Sequence, residues 1–366
     1  VTNRAIAHAR LRNSRLVGPP LPTPEAVVGW FGAVQSQDVP GASWALAQRM
    51  PAGATIGAVG RAMDDGRISR THALRPTWHF LVPDELRWIQ ALTGGRVHRV
   101  AATMFRRLGL GPDEFRRAEV AMTDALRGGH ALTRDDLASA VAPTGIDLTD
   151  RLAITHLAMH AELDALIVNG PRRGKRATYV LVDERIPPAP FVAPADALRE
   201  LTVRYFTSHG PALAQDMAWW SGLTVGSVRE GITAAGNELE SRRVDGKEYW
   251  AAAGAFDPEP GLVQEPHVLL LPNYDEYLGS YADYTPIFDP SLPRARTVAD
   301  VLGTHLVIRD GLVVGGWRRS LARDRVTVTV TLLMPLTAEQ LAALDGAAAA
   351  FGRFLGLPAD LRVVAV

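Results

Sequence analysis

Two glutamines spaced two residues apart, in Ala33-Val34-Gln35-Ser36-Gln37-Asp38, form the stretch of this sequence least explained by packing. An apolar segment with Val27, Val28, Trp30 and Phe31 precedes them and predicts a helix, and Val39-Pro40-Gly41 follows, so a short extended segment is expected between. In an extended chain residues i and i+2 point the same way, which aims both amides at one small volume and turns Ser36 away. A glutamine is neither acid nor base at neutral pH; its carbonyl accepts hydrogen bonds and its amide donates them. Such a pair can position a water and stabilise a developing cation through oriented dipoles. It can also simply satisfy backbone groups in a turn. Asp38 is a weaker candidate for supporting base, because strand alternation turns it from the pair.

Other constellations are less pointed. His156 and His160 stand four apart on an expected helix with Glu162 and Asp164 nearby, a conceivable metal set, but packing explains them more simply and no metal is expected. Asn273-Tyr274-Asp275-Glu276-Tyr277 follows an apolar strand; its carboxylates could be catalytic or could anchor an arginine, and the structural reading is favoured. There is no phosphate-binding glycine loop, nucleophile-elbow serine or His-Glu-x-x-His. Zero cysteines exclude disulfides, thiolate metal sites and thiol nucleophiles. Lys175 and Lys247 are the only lysines, so a Schiff-base mechanism has two candidates at most.

The elements that must hold these residues follow a repeated grammar. In the middle of the chain, Thr133 and Thr149 open helices, and then Leu166-Ile167-Val168 and Thr178-Tyr179-Val180-Leu181 flank a basic turn, Pro171 to Arg176. Helices followed by a hairpin with a basic tip predict a winged-helix unit. The pattern returns after the proline-rich stretch 186–194, with helices near 196–208, 211–221 and 224–238 and a hairpin around Asp245-Gly246-Lys247. The N-terminal part fits the same template, with a hairpin around Leu74-Arg75-Pro76. Beyond about residue 255 the pattern becomes mixed α/β, with a hairpin turn at Asp310-Gly311. The expected fold class is therefore α+β, with three tandem winged-helix modules forming a DNA-binding channel, followed by a mixed α/β region. The expected boundaries are 1–110, 111–186, 187–255 and 256–366.

The charge pattern sharpens this. The chain has 366 residues, with 39 Lys+Arg against 39 Asp+Glu, a formal net charge of zero, which excludes a polycation that binds nucleic acid by total charge alone. Locally, residues 61–107 hold nine arginines against four acids, whereas residues 257–301 hold eight acids against two arginines. The positive potential is expected on the concave face bearing the glutamines, with the acids turned outward. No apolar run approaches the ~18 residues of a membrane span and no signal-peptide core is visible, so a soluble, cytoplasmic monomer is expected.

Together, Gln35-Ser36-Gln37, the Arg75-Pro76-Thr77-Trp78-His79-Phe80 wing, Leu270-Leu271-Pro272-Asn273-Tyr274-Asp275-Glu276-Tyr277 and Gly315-Gly316-Trp317-Arg318-Arg319 resemble the AlkZ-type winged-helix DNA glycosylases of bacteria. The resemblance spans nearly the whole chain, and its most specific element is the Gln-x-Gln form of the family motif. It implies a cofactor-free, monofunctional glycosylase that acts on double-stranded DNA carrying alkylated or crosslinked purines. It also implies self-resistance to azinomycin B, with this chain as the resistance protein or a near relative. The catalytic residues would be Gln35 and Gln37, with Asp38 in support. An N7-alkylguanine already carries the positive charge that weakens its glycosidic bond, so little acid catalysis is required. The candidates for DNA contact are Arg70, His72, Arg75, Trp78 and His79 on the first wing, and Arg172, Arg173, Lys175 and Arg176 on the second. His305, Arg309, Trp317, Arg318 and Arg319 are those of the C-terminal hairpins, where Trp317 competes with a role in the sheet core. Without the resemblance, a winged-helix transcriptional regulator would rank first.

Overall fold

The structure, a computed structural model, describes residues 2–256, 267–289 and 305–365. After α1 (Asn3–Asn13), helix α2 (Pro24–Phe31) starts where the Thr23 hydroxyl accepts from the Ala26 amide and Pro24 takes the first turn, where a missing N–H costs nothing. It stops at Gly32, whose φ of 80° suits glycine. The chain then runs into β1 (Val34–Gln35), α3 (Val39–Ala47), α4 (Ile56–Asp64), β2 (Ser69–Ala73) and β3 (Thr77–Leu81), and the three strands form an antiparallel sheet in the order β1-β3-β2.

Helices α5 (Pro83–Arg107) and α6 (Pro112–Leu126) lead to α7 (Arg134–Val141), which starts in a reciprocal Thr133/Asp136 capping box, and to α8 (Arg151–Leu163), capped by Asp150 rather than by the expected Thr149. A short hairpin, β4 (Ile167–Asn169) and β5 (Tyr179–Leu181), closes this unit and passes through α9 (Val182–Arg185). Then α10 (Pro194–Ser208), α11 (Ala214–Ser221), α12 (Val225–Ala235) and the hairpin of β6 (Leu239–Val244) and β7 (Lys247–Ala252) repeat the helix-then-hairpin order. The Asp245-Gly246 turn has φ of 48° and 75°, the two positive values that the tightest hairpin turn demands.

The C-terminal part is a five-stranded sheet in the order β12-β11-β10-β9-β8. It comprises β8 (Val268–Leu271), then the one-turn helix α13 (Glu276–Gly279), then β9 (His305–Arg309), β10 (Leu312–Leu321), β11 (Val326–Leu332), helix α14 (Ala338–Leu355) and β12 (Ala359–Ala365). Only the β11–β12 pair is parallel, joined by α14, whose Leu344, Ala348, Phe351 and Phe354 cover Val314, Trp317, Val328 and Val330. The hydrophobic interior is not divided by hairpin unit. One core draws Ala33, Leu74 and Leu86 from the first unit, Val168 and Val180 from the second, and Tyr205, Met217 and Trp220 from the third.

Candidate functional site

Gln35 owes its position to three restraints. Strand β1 pairs with β3 so that Gln35 faces His79, and the Ser36 amide donates to the Trp78 carbonyl at 2.8 Å. On the open edge of β1, the Gln35 amide donates to Glu276 Oε1 at 2.7 Å. At the side chain, Arg75 Nη2 donates to Gln35 Oε1 at 3.1 Å. Gln35 is 7% exposed and lies on the wall of a pocket of about 200 Å³. Arg75, Trp219, Asn273, Tyr274 and Tyr284 contribute to the rest of its lining.

Glu276 anchors this corner. Its Oε2 accepts from Trp220 Nε1 at 3.0 Å, from His209 Nε2 at 3.2 Å and from the Ser280 hydroxyl. Burial pushes the Glu276 carboxyl up, but His209, the Ser280 hydroxyl and the Gln35 amide outweigh it and hold it at about 2, ionised and acceptor-only at neutral pH. Burial holds His209 below its ordinary range. The neighbouring Asp275 accepts both ends of the buried Arg49 fork, at 2.8 and 2.7 Å, and caps α13 through the Tyr277 amide. The two strand-end carboxylates thus brace the structure, one an arginine and the other the glutamine strand. They lie in the acidic stretch expected to turn outward, yet both point inward: an acid beneath a strand edge supplies an acceptor that no neighbouring strand provides. Residues 257–266 and 290–301 of that stretch lie outside the described residues.

The other expected site residues divide into three groups. Gln37 is exposed, with Oε1 3.5 Å from the Trp78 amide, and it does not line the pocket, because the chain bends after Ser36 toward the start of α3. Asp38 and Arg319 approach to 3.7 Å, which brings the second C-terminal hairpin to the motif. His305 Nδ1 accepts from the Asn273 amide at 3.1 Å and so fixes one wall of the pocket. Arg70 donates to the Ser36 carbonyl at 3.2 and 3.1 Å and lies over the half-buried Trp78 ring.

A second group is too buried to meet DNA in this conformation. His72 is clamped to Glu162, and its ring packs on Trp78. His79 is fully buried, its Nδ1–H donating to the Thr77 carbonyl, and burial together with Arg75 pushes it down to about 3, so its imidazole is neutral. Trp317 is 1% exposed, donates to the Leu271 carbonyl at 2.9 Å and packs on Phe351. Strand alternation places Trp317 toward α14 and leaves its neighbour Arg318 exposed.

The third group is distant from the glutamine or already paired. Arg309 sits at the other end of β9 from His305. On the second wing Arg172 pairs with Asp64, Arg173 with Asp136 and Arg176 with Asp135, while Lys175 is exposed at the tip. All three are exposed pairs, which water and salt screen. The His156/His160 pair does not converge: His156 meets the edge of Phe105, whereas His160 joins His98 and Asp164, their ligand atoms within 4.8 Å. Glu162 is engaged with His72 instead.

Among the described residues no helix is long and apolar enough to cross a membrane. A comparison with curated proteins finds no match. Among solved structures the chain is similar to the Streptomyces sahachiroi DNA glycosylase AlkZ, with a TM-score of 0.81 over 100% of both chains at 22% sequence identity. That identity makes the two distinct proteins with one fold. The model of the DNA glycosylase AlkZ-like family matches residues 28–354, from the helix before the glutamine motif through almost all of α14. The chain belongs to the AlkZ-like family and is a DNA glycosylase.

Proposed function

We propose that this glycosylase hydrolyses the N-glycosidic bond of N7-alkylated purines and unhooks azinomycin-type interstrand crosslinks by breaking the same bond. Gln35 and Gln37 position the attacking water, and an abasic site remains. The observation that carries this reading is the oriented Gln35 amide on the wall of a pocket whose lining side chains include no carboxylic acid. Glu276, beneath the Gln35 backbone, is ionised and has no proton to give. An unmodified purine needs its leaving group protonated; an N7-alkylguanine is already cationic and leaves neutral with the bonding pair.

The chain's residues then have limited tasks. With one lone pair of Gln35 Oε1 taken by Arg75, the other faces the water or the cationic sugar. The negative charge of Glu276 favours the oxocarbenium-like transition state. The water forms the new C1′–O bond and releases its proton to solvent. Lys247 is paired with Asp283 at 2.6 Å and Lys175 is at a wing tip, an arrangement that supports hydrolysis rather than a lysine adduct. Gln37 is exposed, so a guanine still tethered to the opposite strand reaches it without full extrusion.

The test is duplex DNA containing N7-methylguanine, incubated with enzyme and then heated in alkali. Wild type should give strand scission at the lesion, and the Gln35→Ala, Gln37→Ala double variant should lose about 100-fold or more. No scission by wild type, or undiminished scission by the double variant, would overturn the reading. Azinomycin-crosslinked duplex on a denaturing gel tests the unhooking step.

A further inference from the structure

His160 stands where three helices meet. His98 comes from α5 and Glu119 from α6, while His160 lies in the last turn of α8 and Asp164 at its C-cap. The i, i+4 spacing of His160 and Asp164 sets both on one helix face. His98 Nε2 lies 2.7 Å from Asp164 Oδ1, and His160 Nδ1 lies 3.2 Å from Asp164 Oδ2 and 3.1 Å from Glu119 Oε1. One ligand atom from each of His98, His160 and Asp164 falls within 4.8 Å of the others.

Two features set this cluster apart from the ion pairs elsewhere on the molecule. Neither carboxylate has an arginine or lysine partner among the described ion pairs; Asp164 meets His98 and His160, and Glu119 meets His160. The arginines nearest in sequence on α6 are spent on its first turn, Arg116 on Asp113 and Arg117 on Glu114. With its imidazoles neutral the cluster therefore gathers two carboxylate charges and no resident cation, which a divalent ion would balance. The groups are also held without being sealed. The His160 ring stacks on Phe115 with centroids 3.8 Å apart, and the His98 ring lies 4.3 Å from His160. Exposure nevertheless runs from 17% for His160 to 45% for Asp164, so an ion reaches the ligand atoms from solvent.

Ligand type selects the ion. Magnesium and calcium take oxygen ligands, whereas imidazole nitrogens favour zinc and its transition-metal neighbours. Tetrahedral zinc, with bonds of about 2.0–2.1 Å, sets its ligand atoms roughly 3.3 Å apart. The separations here, 2.7–3.2 Å at three contacts and at most 4.8 Å within the histidine–aspartate set, bracket that value, so side-chain rotation suffices to reach it.

We propose that His98, His160 and Asp164, completed by Glu119, bind one zinc ion that staples α5, α6 and α8 together. None of the four lines the Gln35 pocket, so the ion has a structural task. It ties α5, which follows β3 of the glutamine-bearing sheet, to α8 of the second hairpin unit.

The test uses untagged whole protein stripped with chelator and titrated with zinc alone. Wild type should bind one equivalent saturably, and Tm should rise by about 3 °C or more at saturation. Cobalt in place of zinc should give the visible absorption of a four-coordinate ion. His160→Ala and Asp164→Asn should each weaken zinc binding about tenfold or more and remove the Tm rise. Asp164 is at the surface, so its variant keeps the fold and separates lost ligation from lost structure. His156→Ala, one turn earlier on the same helix, should leave binding and the Tm rise intact. No saturable zinc binding by wild type, an equal Tm rise with magnesium, unchanged binding by Asp164→Asn, or binding that depends on His156 rather than His160 would overturn the site.

Discussion

A glutamine is useful to a reaction only if the correct end of its amide faces the reacting atoms, and at Gln35 that choice falls to Arg75. The guanidinium has only donors, so it selects Oε1 and fixes the amide plane. Arg75→Lys keeps the charge but loses the planar fork. We expect kcat on N7-methylguanine duplex to fall about tenfold with KM little changed, read by single-turnover against steady-state kinetics. An unchanged kcat would show that Gln35 is oriented without Arg75. The glutamines were legible in the sequence because their spacing is local and their neighbours are apolar. Glu276 was not legible as the partner of Gln35, since 241 residues separate them and only the closed fold reveals the hydrogen bond. Arg75 is expected from its place in a wing to contact DNA, and its hydrogen bond to Gln35 is not visible in the sequence. Its burial against Gln35 depends on Trp219 and Tyr284, which come from other elements.

At the level of elements, turns were legible and ion pairs were not. Asp310-Gly311 has φ of 49° and 85°, the turn that its dipeptide predicts, and it sets the first two pairs of β9 with β10, Leu312 with Arg309 and Val313 with Ile308, before a bulge between Val313 and Gly315 shifts the register. The basic second wing looked free in sequence, but its first arginine pairs with Asp64, 108 residues away. Beyond Trp317 the β10–β11 hairpin is different: Arg318 and Arg323 are exposed near its turn, as is Leu321 at 60%. We expect this hairpin to meet a DNA backbone, since Arg319 brings it within 3.7 Å of Asp38, next to the glutamine motif. Replacing Arg318 and Arg323 by alanine should weaken binding to undamaged duplex. The plot of log K against log salt should become shallower by about 1.8, the release of roughly two counterions. Fluorescence anisotropy over a salt series checks this, and an unchanged slope would place both arginines off the DNA.

At the scale of the whole molecule, the three hairpin units share an interior, and the net charge of zero conceals a set of buried charges that tie them together. Arg10 lies 3.6 Å from Asp216, Arg49 clamps Asp275, and Glu276 joins β1 to α10 and α11 through His209 and Trp220. Trp220→Ala removes a 1% exposed ring and one of those donors, so a loss of about 3–5 kcal/mol is expected in denaturant unfolding. Acid should expose the same dependence. His8, His79, His156, His160, His209 and His305 are all held below 6.5, chiefly by burial, so the folded protein keeps them neutral while the unfolded chain binds protons. Each such imidazole removes up to about 1.4 kcal/mol of stability per pH unit below its unfolded value, until its folded value is reached. For His79 that loss continues to about 3. Glu276, depressed from 4.5 to about 2, stabilises fully above 4.5 and loses that contribution between those values as pH falls. Asp216, Glu85 and Glu119 are raised by burial and act in the opposite sense, three groups against the seven named above. Tm should therefore change little from pH 8 to 7 and decline steadily from about 6.5 to 4, with net proton uptake on unfolding at pH 5.5. Calorimetry in buffers of different ionisation enthalpy measures both, and a flat Tm across that interval would mean that these imidazoles are not buried as neutral groups.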